Sequence, residues 1–285
     1  KGMIFAGCSF TWGQGLYYYS NLDTLKEPLP DHYDRNLVKH AHIKFKESVR
    51  YPRLVADHFN TFEYVHPENG GSNWGAVHWW ENCLTNNNPN AWYGGHTIPK
   101  IDYSEVDYVV FQLTQWQRDN FIMQLNGDSE QHDIPFHATH QDQYRDKFFK
   151  WLDQQQISLG SWIQNYIQSG LDNVKRFLQD CENKGLKTLV FTWPSEYLLY
   201  IEKDPWLKDR FLTFDYKGIN YKSIEDLMSP GAMHTKGYNP ELTIKWDESA
   251  FTETPKDHHP SLKCHQVMAQ NIIEKIESLS NESSF

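Results

Sequence analysis

Met3-Ile4-Phe5-Ala6-Gly7-Cys8-Ser9-Phe10-Thr11-Trp12-Gly13-Gln14-Gly15 is the stretch from which the fold is read. The apolar run 3–6 is too short for a helix and stops at a glycine, so it reads as a strand buried on both faces. Three glycines in residues 7–15 signal a tight turn at its end. A buried strand that runs into a polar, glycine-rich turn is the opening unit of a parallel α/β sheet.

The rest of the chain repeats that unit. A second strand is expected at 61–65, running into Asn69-Gly70-Gly71-Ser72-Asn73, and a third at 106–113, Val-Asp-Tyr-Val-Val-Phe-Gln-Leu. A fourth is expected at 187–192, and a weaker one near 211–214. Helices alternate with them. One is expected over 52–59, with Pro52 in its first turn. A second spans 74–85, with Ala76, Trp79, Trp80, Cys83 and Leu84 on one stripe. Helical signal surrounds 142–156. A long helix covers 162–184, its apolar face built from Ile163, Tyr166, Ile167, Leu171, Val174, Phe177, Leu178 and Cys181 and its end marked by Gly185. The last covers 262–279, with Val267, Ile272, Ile273 and Ile276 facing inward. No internal repeat or linker tract divides the 285 residues, which read as one domain, 1–285, with insertions at about 17–50, 119–158 and 193–256. In such sheets ligands bind at the carboxyl ends of the strands, where the polar turns after strands one, two and three fall.

Composition narrows the partners. Asp and Glu number 37 against 27 Lys and Arg, a formal charge of −10, which argues against nucleic acid or an anionic membrane surface as the main partner. Ala, Val, Ile and Leu make up only about a fifth of the chain, so the core must lean on Trp, Tyr and Phe. The same rings line glycan sites, and composition alone leaves both roles open. No apolar run approaches the ~18 residues of a membrane helix, and the N-terminal run is too short for a signal peptide. The first residue is Lys, so a few residues are expected upstream. Cys8, Cys83, Cys181 and Cys264 are scattered, which reads as four reduced thiols in a cytoplasmic protein.

Two clusters carry chemistry. Ser9 sits on the turn after strand one, where backbone N–H groups can face a developing oxyanion. Pro255-Lys256-Asp257-His258-His259-Pro260-Ser261 precedes the last helix and offers an imidazole base with a carboxylate to orient it. The bland reading is a turn serine and a capping loop with Ser261 as N-cap. A metal reading takes Asp257, His258, His259, Cys264 and His265, though their spacing matches no standard zinc pattern.

Taken in order, these pieces resemble the SGNH (GDSL-type) hydrolases. Gly7-Cys8-Ser9-Phe10-Thr11-Trp12-Gly13 resembles the family's first block and Gly70-Gly71-Ser72-Asn73 its glycine block. Val109 through Arg118 occupies the place of the third block, and Asp257-His258-His259-Pro260 resembles the last. The blocks span nearly the whole chain and look like those of phage and bacterial members. The resemblance implies a flavodoxin-like three-layer α/β/α sandwich with a mainly parallel central sheet. It implies a serine esterase with Ser9 as nucleophile, His259 as base and then acid, and Asp257 as its orienter. The oxyanion donors would be the N–H groups of Ser9 and Gly71 plus a side-chain amide, either Gln115 or Asn73. No metal and no cofactor are implied. His259 is preferred to His258 because Pro260 follows it.

This chain departs from the family pattern at named positions. Cys8 and Phe10 replace an aspartate and a leucine, Leu113-Thr114-Gln115-Trp116 replaces Gly-x-Asn-Asp, and Asp257 precedes His259 by two residues rather than three. Trp12, Trp74 and Trp116, with Arg118, flank the expected site and are the candidate substrate-binding residues. They suit a glycan ester, such as one carrying an acetyl or other small acyl group. The altered third block carries the alternative: a weak or inactive glycan-binding or virion structural protein on the same fold. Oligomeric state is not legible.

Overall fold

The computed structural model describes residues 1–8, 11, 13, 16, 40–66, 71–85, 92, 93, 96, 97, 99–229, 241–243 and 259–282, with backbone alone at 40–43, 92, 93, 96, 97 and 282. Chain order runs β1 (Gly2–Ala6), α1 (His40–Val49), α2 (Tyr51–His58), β2 (Glu63–Val65), α3 (Asn73–Thr85) and β3 (Val106–Leu113). A hairpin of β4 (Asn120–Met123) and β5 (His132–Pro135) follows, then α4 (Asp142–Gln155), α5 (Leu159–Asn183) and β6 (Lys187–Thr192). Two short helices, Leu198–Lys203 and Pro205–Arg210, lead to a second hairpin, β7 (Phe214–Tyr216) and β8 (Ile219–Tyr221). A third short helix, Ile224–Met228, and the long α6 (Leu262–Glu282) complete the order.

β1, β2, β3 and β6 form one parallel sheet in the order β2-β1-β3-β6. Register is set at Met3, which faces Glu63 on one side and Tyr108 on the other, and at Gln112, which faces Phe191. Side chains alternate across the sheet. Ile4, Ala6, Val109, Phe111 and Val190 join the core under α3 and α5, while Met3, Phe5, Tyr108, Val110 and Phe191 join the core under α2 and α6. Helices therefore cover both faces, which is why the strands read as continuous apolar runs.

The strands expected at 106–113 and 187–192 match β3 and β6, and the expected helices match α2 to α6 within a few residues. Other features differ. His40–Val49 is a helix inside a stretch read as irregular, of which residues 17–39 lie outside the described residues. The weak strand near 211–214 divides: Phe211 makes a parallel bridge to Val190, and Phe214 begins a hairpin. That hairpin turns at Lys217 and Gly218, with φ of 51° and 78°, the two left-handed residues that a tight hairpin turn requires. Finally, α5 starts three residues early, capped by Ser158, and turns Trp162 inward.

Trp162 accounts for much of the aromatic excess. Its ring lies 4.8 Å from Phe121, 5.2 Å from Phe148 and 4.9 Å from Tyr166. The β4–β5 hairpin, α4 and α5 thus share an aromatic core where aliphatic residues are scarce. Trp79 and Trp80 are buried under α3, as their spacing predicts. All four cysteines are buried, and none of them is in a disulfide.

Candidate functional site at the carboxyl edge of the sheet

The order β2-β1-β3-β6 reverses direction between β1 and β3, the switch point at which ligands bind in parallel α/β sheets. Parts of all four sequence blocks fall among the described residues.

Gly7, directly after β1, lies against β3. A methyl group on it would overlap the Thr11 hydroxyl and lie 2.9 Å from Gln112 Cβ. The Thr11 hydroxyl donates to Gln112 Oε1 at 2.5 Å and so accepts from the Tyr51 hydroxyl at 2.8 Å. Gln112 Nε2 donates to Cys8 Sγ at 3.4 Å. Every member of this network is buried. It ties the residues on either side of position 9 to the carboxyl end of β3 and to α2. Ser9 itself and Trp12 lie outside the described residues.

The glycine block is held in the same place. A side chain on Gly71 would meet the Gly7 carbonyl at 3.5 Å, so the two turns are neighbours. Ser72 Oγ accepts the Gly75 N–H at 3.0 Å and Asp119 Oδ1 accepts the Trp74 N–H at 2.8 Å, capping the first turn of α3. Burial pushes the Asp119 carboxyl up, against the hydrogen bonds from Trp74, Ser72 and Asn73 that hold it down.

Asn73 is a strut. Its Oδ1 accepts the Thr114 N–H at 2.8 Å, and its Nδ2 donates to Thr114 O at 3.1 Å and to the Tyr197 hydroxyl at 2.8 Å. Both amide hydrogens are therefore directed into the protein, and the expectation of Asn73 as an oxyanion amide donor is corrected on that ground. Gln115 differs: it is half-buried, and its carboxamide makes no hydrogen bond to the described residues. Trp116 is a second correction. Its ring is buried, 4.7 Å from Phe136 and 6.2 Å from Tyr166, and belongs to the aromatic core rather than to an open wall. Trp74 is 54% exposed and lies flat on His78 at 5.2 Å. Arg118 sits over Trp193, Cζ 5.3 Å from the ring centroid.

The last block reaches the edge through α6. His259 is buried, Pro260 bridges to Thr243, and the Ser261 N–H donates to Leu242 O at 2.8 Å. Ser261 Oγ accepts the Cys264 N–H at 3.1 Å, the N-cap that the bland reading assigns to it. Asp257 and His258 lie outside the described residues. Cys264 is packed in the core, and among the described residues no three His, Cys, Asp or Glu side chains form a group able to hold a metal.

His265, one turn into α6, was not singled out by the sequence reading except within the metal cluster. It is fully buried and stacked on Tyr51, and its Nδ1 accepts the Tyr51 N–H at 3.1 Å, so Nε2 carries the proton. Through Tyr51 and Thr11 it connects the final block to the first. The signal was available: His265 precedes Met268, Ala269 and Ile272 on one helical stripe, a polar residue in an apolar row.

Burial, then His259 and Arg50 nearby, lowers the His265 pKa to about 3. Between pH ~6.5 and 3 the unfolded chain therefore binds a proton that the folded protein does not, and stability falls as pH falls. One such group gives a slope of about 1.4 kcal/mol per pH unit. Urea unfolding from pH 7 to pH 4 is expected to show that slope in the wild type and a shallower one in His265→Gln; equal slopes would assign the acid sensitivity elsewhere.

Among the described residues no helix is long and apolar enough to cross a membrane. Comparison with known proteins finds no matching family model, no matching curated protein and no matching solved structure.

Proposed function

We propose that the protein is a serine esterase on a flavodoxin-like sandwich of the SGNH kind, acting on a carbohydrate that carries an acetyl or other small acyl group. The observation that carries this reading is the meeting of the blocks at one edge: Gly71 against Gly7, Gln115 uncommitted at the end of β3, and the His259 segment linked through His265 and Tyr51 to Thr11.

In the proposed reaction Ser9 Oγ attacks the ester carbonyl while His259 takes its proton and Asp257 orients the imidazole. The carbonyl oxygen becomes an oxyanion held by the N–H groups of Ser9 and Gly71 and by the Gln115 amide. The C–O bond to the alcohol then breaks, and His259 gives the leaving oxygen its proton. Water repeats the sequence on the acyl-enzyme, releasing the acid and restoring Ser9. Gln115 is one methylene longer than the family's asparagine. It leaves the role of clamping β3 to Asn73, which makes the division of labour between the two amides the distinctive feature of this site.

The test is hydrolysis of a short-chain aryl ester. Gln115→Ala is expected to lower kcat by about 100–1,000-fold with a small change in KM, the signature of a contact made in the transition state. Unchanged kcat would remove Gln115 from the oxyanion site. A folded wild type inert to every ester, yet binding the same glycans as Ser9→Ala, would support a binding or virion protein instead.

A further inference from the structure

Arg118 lies at the same edge, just past the end of β3. Its Nη1 is buried and has no hydrogen-bond partner, and its guanidinium forms no ion pair with the described residues. The Glu196 carboxylate is reached by Gln117 Nε2 at 3.5 Å, and no ion pair joins it to Arg118. The chain has ten more acidic than basic residues, yet among the described residues none is placed as a counter-ion to Arg118. A buried charged donor left unsatisfied is costly unless a ligand satisfies it.

The surroundings fix its geometry. Trp193 follows β6, and its N–H donates to Leu113 O at 2.9 Å, extending the β3–β6 ladder by one residue. The guanidinium Cζ lies 5.3 Å from the centroid of this ring, a cation–π contact that uses none of its N–H donors. Thr114 Oγ1 and Gln117 Oε1 are also buried without partners. Three unsatisfied polar atoms thus fall within Thr114–Arg118, the segment that carries Gln115.

We infer that Arg118 is a specificity-determining residue that receives a carboxylate borne by the substrate, so that the site prefers esters carrying a negative charge near the scissile bond. A carboxylate matches the planar, bidentate edge. This inference rests on the esterase reading for its kinetic consequence but not for its binding consequence. The two are tested separately.

Phenylglyoxal modification of the wild-type protein, mapped by peptide mass, is expected to label Arg118, and monomethyl succinate is expected to abolish that adduct. The kinetic arm compares an aryl hemisuccinate with the matching aryl acetate. Arg118→Gln is expected to lower the ratio of their kcat/KM values by about 10–100-fold, chiefly through KM, with partial recovery in Arg118→Lys. Protection by monomethyl succinate without any ester hydrolysis would support the carboxylate site while removing the esterase reading. Hydrolysis with no charge preference and no protection would overturn the inference and leave the esterase reading standing. Protection by inorganic phosphate alone would also overturn it.

Discussion

Ser9→Ala is expected to reduce ester hydrolysis by on the order of 10⁴–10⁶-fold in kcat, the largest single effect in this protein. The nucleophile, the base and its orienter act as a unit, so removing the attacking oxygen forfeits nearly all of their joint contribution. What remains is the background provided by the oxyanion donors and binding. The fold should be indifferent to this change. Cys8 and Thr11, on either side of position 9, are held by Gln112 and Tyr51 through bonds that do not involve the Ser9 hydroxyl. Steady-state hydrolysis with urea unfolding on the same preparation checks both halves. A variant that keeps more than a hundredth of wild-type turnover would mean that another group attacks.

Gly7→Ala is expected to be the most damaging single change to the structure near the site, at about 3 kcal/mol. The added methyl would overlap the Thr11 hydroxyl and lie 2.9 Å from Gln112 Cβ. Neither neighbour can yield cheaply. Thr11 is bonded on both sides, and Gln112 is fully buried in the middle of the sheet. Relief requires β1 to move from β3 or the Tyr51–Thr11–Gln112 chain to break, leaving buried polar atoms unpaired. Gly71→Ala is the control. Its methyl would meet the Gly7 carbonyl at 3.5 Å, an ordinary contact, so its cost should stay below about 1 kcal/mol. Urea midpoints of the two variants should separate clearly, and equal midpoints would contradict the crowding at Gly7.

Three strands of the central sheet, β1, β3 and β6, were legible because each is buried on both faces and stops at a turn residue. Val106–Leu113 and Lys187–Thr192 are the plainest cases. Helix α3 was legible from its stripe, and α5 from its face and from Gly185 at its end. The helix at 40–49 was not, because its sequence is weakly amphipathic and opens without an acidic first turn. The hairpin of β4 and β5 was missed in a stretch whose polar residues hide the alternation of Phe121 and Met123 inward with Asn120 and Ile122 outward.

At the site, the sequence named Asn73 and Gln115 as rival amides and could not rank them. The ranking depends on Thr114 and Tyr197, which are 41 and 124 residues from Asn73 along the chain. Trp116 was offered as a pocket wall because it adjoins a site block, but ring packing against Phe136 and Tyr166 decides its direction. Gln112 passed unnoticed inside an apolar run, although a polar residue there marks where β3 holds the first turn.

Fluorophosphonate labelling followed by peptide mapping tests the central claim most directly. The reagent reports a serine that is activated by a base and faces an oxyanion site, whatever the natural ester. One phosphonyl adduct per chain on the peptide carrying Ser9, absent from unfolded protein and from His259→Ala, is the expected result. Folded protein that takes no adduct, or takes it on a serine other than Ser9, would contradict the account.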